Sequence, residues 1–133
     1  MKEIIRNYVT WLPALVWMGL IFVFSSRAEP VPAIEGKPYE ELVGNLLHLA
    51  EYGGLTFLLY FGWLKGKIFQ NPLSWKGLIL SALLAAAFGV TDELHQAFVP
   101  GRTFNPLDMA LDACGAVLGS GLTIVVIWAA RKD

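Results

Sequence analysis

Four long apolar blocks constrain the fold of this 133-residue chain more than any other feature. They cover residues 8–24, 42–64, 77–99 and 106–130. A helix needs about 20 mostly apolar residues to cross the hydrocarbon core of a bilayer. Because lipid offers the backbone no hydrogen-bond partner, such segments cross as helices. The blocks therefore predict an all-α integral membrane protein, a four-helix bundle that forms one domain over residues 1–133.

The composition agrees with a membrane protein. The chain is 56% hydrophobic and 16% charged, whereas soluble domains average about 45–50% and about 25%. The net charge of −1 gives no reason to expect nucleic-acid binding. The single cysteine, Cys114, lies in an apolar block and is interpreted as a packing residue. The first block ends in Ser25-Ser26-Arg27, a poor cleavage site, so we expect a span rather than a signal peptide.

The basic residues predict the orientation of the chain, because cytoplasmic loops carry an excess of Lys and Arg. With a cytoplasmic N-terminus, seven of the ten basic residues are cytoplasmic: Lys2, Arg6, Lys65, Lys67, Lys76, Arg131 and Lys132. The other three, Arg27, Lys37 and Arg102, then lie outside. We therefore expect a multi-pass protein with both termini in the cytoplasm.

In this orientation the unusual polar residues fall in one outer layer. They are Ser25, Ser26 and Arg27 at the end of the first block, His48 and Glu51 in the second, residues 92–96 in the third, and Asp108 and Asp112 in the fourth. Ionisable groups at membrane depth are costly, so they usually face a protein interior and usually serve a function.

Helical periodicity sorts these residues into three faces, because residues three or four apart are neighbours on a helix. The faces are His48, Glu51 and Tyr52; Asp92, His95, Gln96 and Val99; and Asp108, Asp112, Gly115 and Gly119. Gly115-x-x-x-Gly119 is a close-packing signature that would draw the third face against a neighbouring helix. The sequence thus predicts that the three faces converge on one polar pocket in the outer half of the bundle.

Some of these residues also have simpler interpretations. Asn105-Pro106 reads as a helix cap followed by a proline at the first helical position. Asp108 would then complement the N-terminus of the helix. Pro100-Gly101 suits the centre of a turn that ends the third block. Arg102 could be an interfacial anchor.

One chemistry that suits the polar residues is a metal site. Histidine nitrogens and carboxylate oxygens bind Zn²⁺ or Mn²⁺. His48-x-x-Glu51 and Asp92-x-x-His95 each place two such ligands on one face. These four residues are the candidate metal ligands. Together with Glu93 they are also the candidate catalytic residues, since a carboxylate outside the metal shell could act as general base on bound water.

The other chemistry is recognition of an anionic head group without a metal. Arg102 would bind phosphate, and a histidine would donate or accept a proton. Gln96, Asp108 and Asp112 would complete the substrate-binding set. Five nearby acids argue against an unaided anion site, because they would repel phosphate unless a cation or protons offset them. This favours a cation in any version of the function that handles phosphate. The five acids are Glu51, Asp92, Glu93, Asp108 and Asp112.

At these residues the chain resembles the VanZ-like family of membrane proteins. The resemblance rests on residues 47–55, on Asp92-Glu93-Leu94-His95-Gln96 with Pro100-Gly101-Arg102, and on Asp108-x-x-x-Asp112-x-x-Gly115. Trp11-Leu12-Pro13-Ala14 and Phe24-Ser25-Ser26 also match. One departure is Asn45, where relatives often carry a lysine. The resemblance implies a bacterial envelope protein of the cytoplasmic membrane, linked to reduced sensitivity to teicoplanin. It also implies that the functional residues are His48, Glu51, Asp92, Glu93, His95, Gln96, Arg102, Asp108 and Asp112.

Three functions remain open at this level. The leading hypothesis is a protein that binds or processes an anionic lipid-linked or cell-wall substrate at the outer leaflet, in its enzymatic form a metal-dependent hydrolase of a lipid phosphate. The second is a non-enzymatic binding or assembly protein whose polar residues hold the helices together. The third is a small proton-coupled transporter or flippase. Four spans form only a small conduit, and the sequence has no visible inverted repeat. The transporter hypothesis would therefore be favoured if two copies formed a homodimer.

Overall fold

The computed structural model describes residues 9–28, 35–64 and 73–131. These residues form four helices and no strand: α1 (Leu12–Ser25), α2 (Glu40–Trp63), α3 (Trp75–Gln96) and α4 (Pro106–Ala129). The predicted all-helical bundle is therefore confirmed. Several residues used for the first span and for the orientation lie outside the described residues: Lys2, Arg6, Tyr8, Lys65, Lys67 and Lys132.

Three of the four helices, α2, α3 and α4, are long and apolar enough to cross a membrane. The remaining helix, α1, is apolar but has only 14 residues. At 1.5 Å per residue it extends about 21 Å, less than the roughly 30 Å of a hydrocarbon core. The described part of the first predicted span is thus shorter than the other three helices.

The helix ends follow local chemistry. Asn105 caps α4 by accepting a hydrogen bond from the backbone N–H of Leu107 at 3.0 Å, with Pro106 at the first helical position, as predicted. The C-terminus of α3 differs from the prediction, because the helix ends at Gln96 rather than at Val99. Val99 precedes Pro100, and the proline ring disfavours a helical conformation in the residue before it.

The centre of the bundle is a close approach of α2 and α4. A Cβ on Gly115 would lie 2.8 Å from the carbonyl oxygen of Leu49, and one on Gly119 would lie 2.7 Å from the Cα of Gly53. These glycines let the two backbones pack directly on each other, as the glycine pattern predicts. Since Asp112 is on the same face of α4, the packing also buries that carboxylate against α2.

The distribution of polar and apolar residues is that of a membrane protein. Large apolar side chains such as Leu15, Leu83 and Val117 are exposed on the outer surface. Glu93 and Asp112 are buried instead. This arrangement suits a lipid environment, because apolar surface facing hydrocarbon costs nothing while polar groups need partners inside.

Candidate functional site

A polar pocket of about 360 Å³ lies at the end of the bundle where α1 and α3 finish and α2 and α4 begin. Six of the predicted site residues line it: His48, Glu51, Asp92, Gln96, Arg102 and Asp108. They come from α2, α3, α4 and the loop before α4. The structure therefore brings residues of all three predicted polar faces together in one cavity.

A chain of hydrogen bonds runs from α1 through α3 to Arg102. Ser25 Oγ donates to Asp92 Oδ1 at 2.6 Å, and Gln96 Nε2 donates to Asp92 Oδ2 at 2.9 Å. Gln96 Oε1 accepts from both Nε, at 3.0 Å, and Nη2 of Arg102. Asp92 and Gln96 are buried. Because Asp92 positions Gln96 and Gln96 in turn accepts hydrogen bonds from Arg102, the guanidinium of Arg102 is held in place at the pocket wall.

The loop that carries Arg102 is a tight turn. The N–H of Arg102 donates to the carbonyl of Val99 at 3.0 Å across Pro100 and Gly101. Gly101 has a φ of 86°, a value that only glycine adopts readily. This is the turn with proline followed by glycine that the sequence predicts, and it directs the chain into α4.

A second arrangement holds the imidazole of His48. Its Nδ1 lies 2.7 Å from Asp112 Oδ1, and its Nε2 lies 3.9 Å from Asp108 Oδ2. An ionised carboxylate only accepts hydrogen bonds, so Nδ1 carries the proton in this contact. Asp112 is buried and Asp108 half-buried. Thus the buried aspartate orients the ring, and Nε2 is the nitrogen left for a ligand on the pocket side.

Asn105 connects two predicted site residues. Its backbone N–H donates to Glu93 Oε1 at 2.5 Å, and its side-chain Nδ2 donates to Asp108 Oδ1 at 3.0 Å. Asn105 also lines the pocket, whereas Glu93, only 1% exposed, does not. The sequence identified Asn105 only as a helix cap. Its link to Glu93 requires the tertiary fold, because the two residues belong to different segments.

His95 is not among the residues that line the pocket, although the sequence groups it with Asp92 on one helix face. Its ring stacks on Phe22 of α1 with centroids 4.4 Å apart, and its Nε2 lies 3.0 Å from Ser26 Oγ. Three residues turn a helix by about 300°, so positions 92 and 95 point about 60° apart. At this helix junction that difference places Asp92 in the interior and His95 against α1.

The predicted metal ligands are not assembled into one group. Within the described parts of the chain, no cluster of three or more His, Cys, Asp or Glu residues could hold a metal ion. His95 lies on the α1 side, both oxygens of Asp92 are hydrogen-bonded to protein donors, and His48 is paired with Asp112. Three of the four residues, His48, Glu51 and Asp92, do line one pocket, whereas His95 does not. A site for Zn²⁺ or Mn²⁺ at these residues stays a prediction.

The pocket is acidic. Arg102 is the one Lys or Arg among its described lining residues, while six acids line it: Glu35, Glu40, Glu41, Glu51, Asp92 and Asp108. Glu51 lies within electrostatic range of both His48 and Arg102. An anion bound at Arg102 would thus also experience repulsion, which falls when positive charge enters with the anion or when protons neutralise the acids.

Ser25 and Asn45 are among the further residues that line the pocket and that the sequence did not assign to it. Ser25 was placed in the outer polar layer, but its bond to Asp92 could not be foreseen from a single serine at the end of an apolar block. Asn45 lines the pocket three residues before His48. Asn45, which the sequence marks only through the family resemblance, therefore belongs to the cavity wall.

Replacing Ser25 by alanine is expected to destabilise the protein by about 1–3 kcal/mol, because it removes a donor from the buried Asp92 carboxylate. Ser26→Ala is the matched control, since Ser26 is exposed and contacts the half-buried His95; its cost should stay below about 1 kcal/mol. Thermal unfolding in detergent micelles measures both changes. Equal losses for the two variants would contradict the structural role given to Ser25.

The fold and the pocket together define an α-helical membrane protein with a polar cavity at one end of its bundle. The VanZ/LLP1 family model matches residues 8–128, and the chain belongs to this VanZ-like family. At family level this is a membrane protein linked to glycopeptide resistance. Comparisons with curated proteins and with solved structures found no significant match.

Proposed function

We propose that this protein binds the anionic head group of a lipid-linked or cell-wall substrate in its pocket, at the outer face of the bacterial cytoplasmic membrane. Both termini would be cytoplasmic in this orientation. One observation carries the proposal: Arg102 and His48 line the same cavity, and each is held from behind by buried side chains. Side chains locked in this way bind a ligand without first losing conformational freedom.

Arg102 supplies the anion-binding group. Its Nε and Nη2 are engaged by Gln96, which leaves Nη1 for a ligand. Hydrogen bonds between a guanidinium and a phosphate are charge-assisted and stronger than neutral ones. Phosphate is the anion that best uses this group, because its oxygens can accept from Nη1 while its charge is offset by the whole guanidinium.

His48 supplies the proton-transfer group in an enzymatic version of this function. With Nδ1 engaged by Asp112, Nε2 can accept a proton from an attacking water or donate one to a leaving oxygen. In hydrolysis of a lipid phosphate, His48 Nε2 would take a proton from the water that attacks phosphorus and return it to the lipid oxygen that leaves as its P–O bond breaks, while Arg102 stabilised the charge on the phosphorus-bound oxygens.

The acidic lining restricts which anions fit. Six acidic side chains line the cavity, so positive charge that arrives with the phosphate would favour its binding. A divalent counter-ion on the phosphate or an amine in the same head group would provide it. We therefore expect phosphate to bind more tightly when Mg²⁺ accompanies it.

Arg102→Gln is expected to weaken phosphate binding about ten- to hundred-fold, because a hydrogen bond to a charged group contributes about 1.5–3 kcal/mol. Calorimetry with inorganic phosphate and Mg²⁺, on protein in lipid nanodiscs, measures the effect. Arg27→Gln is the matched control, since the Arg27 guanidinium lies 5.7 Å over the Phe24 ring and Arg27 does not line the pocket. If phosphate did not bind, or if both variants weakened it equally, the proposal would fail.

The assembly hypothesis is the second candidate, and one observation favours it. The polar contacts join helix to helix: Ser25 to Asp92, His48 to Asp112, and Asn105 to Glu93. Buried polar contacts of this kind hold membrane helices together. Asp92→Asn separates the two candidates. A folded variant that has lost glycopeptide resistance indicates ligand binding, and a variant that does not fold indicates helix assembly.

A further inference from the structure

The pocket has an apolar wall that the proposed function does not use. Phe24 near the end of α1, Leu47 in α2 and Leu107 at the start of α4 all line the cavity. The same side chains are 42%, 36% and 55% exposed at the outer surface of the bundle. Because these residues belong to both surfaces, the cavity wall is continuous with the surface that faces lipid.

Helix packing is weakest on this side of the pocket. α1 packs chiefly on α2 and α3, while α4 packs on α2 and α3 as well. Any contact between α1 and α4 is minor, so the rim between Phe24 and Leu107 lacks the extensive packing of the other helix pairs. An opening at this rim would face sideways, towards the bilayer.

One residue of the apolar wall, Leu47, lies at hydrocarbon depth. Leu47 is seven residues beyond the start of α2, which is about 10 Å along the helix axis. The 24 residues of α2 extend about 36 Å, only slightly more than the roughly 30 Å hydrocarbon core. A helix centred in the bilayer thus places Leu47 below the head-group region, where the first carbons of a lipid chain lie.

Extracting a lipid into a closed pocket would expose its chain to water, at about 0.8 kcal/mol for each CH₂ group. A lateral opening removes this cost, because the chain stays among other chains while only the head group moves into the protein. A water-soluble ligand gains nothing from such an opening. The apolar wall therefore favours an amphiphile over a soluble cell-wall fragment.

We infer that the pocket takes the head group of a phosphate-bearing lipid that enters sideways from the bilayer, with its hydrocarbon chain against Phe24, Leu47 and Leu107. This inference rests on the proposed function, since Arg102 holds the phosphate. It goes further by fixing the substrate class as a membrane lipid and by assigning its route of entry.

The test is photo-crosslinking from two adjacent leucines. Leu46 and Leu47 are both exposed to lipid, at 55% and 36%, but only Leu47 lines the pocket. A benzophenone amino acid is placed at either position, in vesicles of phosphatidylcholine with a minor fraction of phosphatidic acid. We expect about tenfold enrichment of phosphatidic acid among the lipids captured at Leu47, equivalent to about 1.4 kcal/mol. At Leu46 the captured lipids should match the bulk composition.

Enrichment at Leu47 should also disappear in Arg102→Gln and persist in Arg27→Gln. Equal capture at both leucines, or enrichment that survives Arg102→Gln, overturns the inference. Calorimetry with inorganic phosphate and Mg²⁺ separates the two claims. If phosphate binds through Arg102 but phosphatidic acid is not enriched at Leu47, the ligand is soluble and only the lateral entry is wrong. If neither binds, the proposed function itself is wrong.

Discussion

Gly119→Ala is expected to destabilise the bundle by about 3 kcal/mol, at the upper end of the cost of overpacking a core. An added Cβ would lie against the carbonyl oxygen of Gly53, and 2.7 and 2.9 Å from its Cα and carbonyl carbon. Those atoms are backbone, so they cannot turn aside as a flexible side chain would. The methyl group must instead push α2 and α4 apart, which also loosens the polar faces that these helices carry.

Gly121→Ala is the control for this substitution. A Cβ at Gly121 meets no atom within 4 Å, and alanine favours a helix over glycine by about 1 kcal/mol. This variant should therefore be as stable as the parent or more stable. Thermal unfolding followed by circular dichroism in detergent micelles compares them. If Gly121→Ala lost as much thermal stability as Gly119→Ala, the destabilisation could not be attributed to the α2–α4 contact.

Gly89→Ala is expected to lower phosphate affinity at least about tenfold, a change of about 1.4 kcal/mol. Gly89 is on α3 opposite Asp112, and its added Cβ would lie 2.7 Å from Asp112 Oδ2 and 2.9 Å from Asp112 Cβ. The aspartate can retreat only by giving up its 2.7 Å contact with His48 Nδ1. The glycine is thus a positioning residue, acting through Asp112 on the imidazole.

Three measurements test the role of Gly89. Nitrogen NMR of labelled histidine should show that Gly89→Ala loses the hydrogen-bonded Nδ1–H signal of His48, while Gly19→Ala, whose Cβ would meet nothing within 4 Å, retains it. Asp112→Asn should weaken phosphate binding too. The double variant should be no worse than either single one, because both act on the same contact. Additive losses in affinity would show that Gly89 acts elsewhere.

The bundle and its polar layer follow from local properties of the sequence. The length of an apolar run predicts a membrane span. The helical repeat then predicts which residues share a face, such as His48 and Glu51. The glycine pattern at Gly115 and Gly119 predicts a close helix contact for a local reason as well, since it marks a face without side chains. These are the predictions that the structure confirms.

Helix rotation and interactions across segments account for what the sequence did not predict. The sequence grouped Asp92 with His95, but the two side chains point about 60° apart, and only Asp92 lines the pocket while the ring of His95 stacks on Phe22. The metal site expected at these residues stays a prediction. Asn105 matters because it bonds to Glu93, and Ser25 because it bonds to Asp92. Each partner lies in another segment, so spacing along the chain does not reveal these contacts.

The sequence by itself determined that this chain is a helical membrane protein, where its helices run, and which polar residues occupy one layer. Those properties depend on the length of each apolar segment and on the helical repeat, and both can be determined from consecutive residues. Only the tertiary structure decided that His48 pairs with Asp112, that Gln96 holds Arg102, and that Leu47 lines the pocket. Each of these depends on how the helices are rotated and spaced, which packing around Gly53, Gly89 and Gly119 sets in three dimensions.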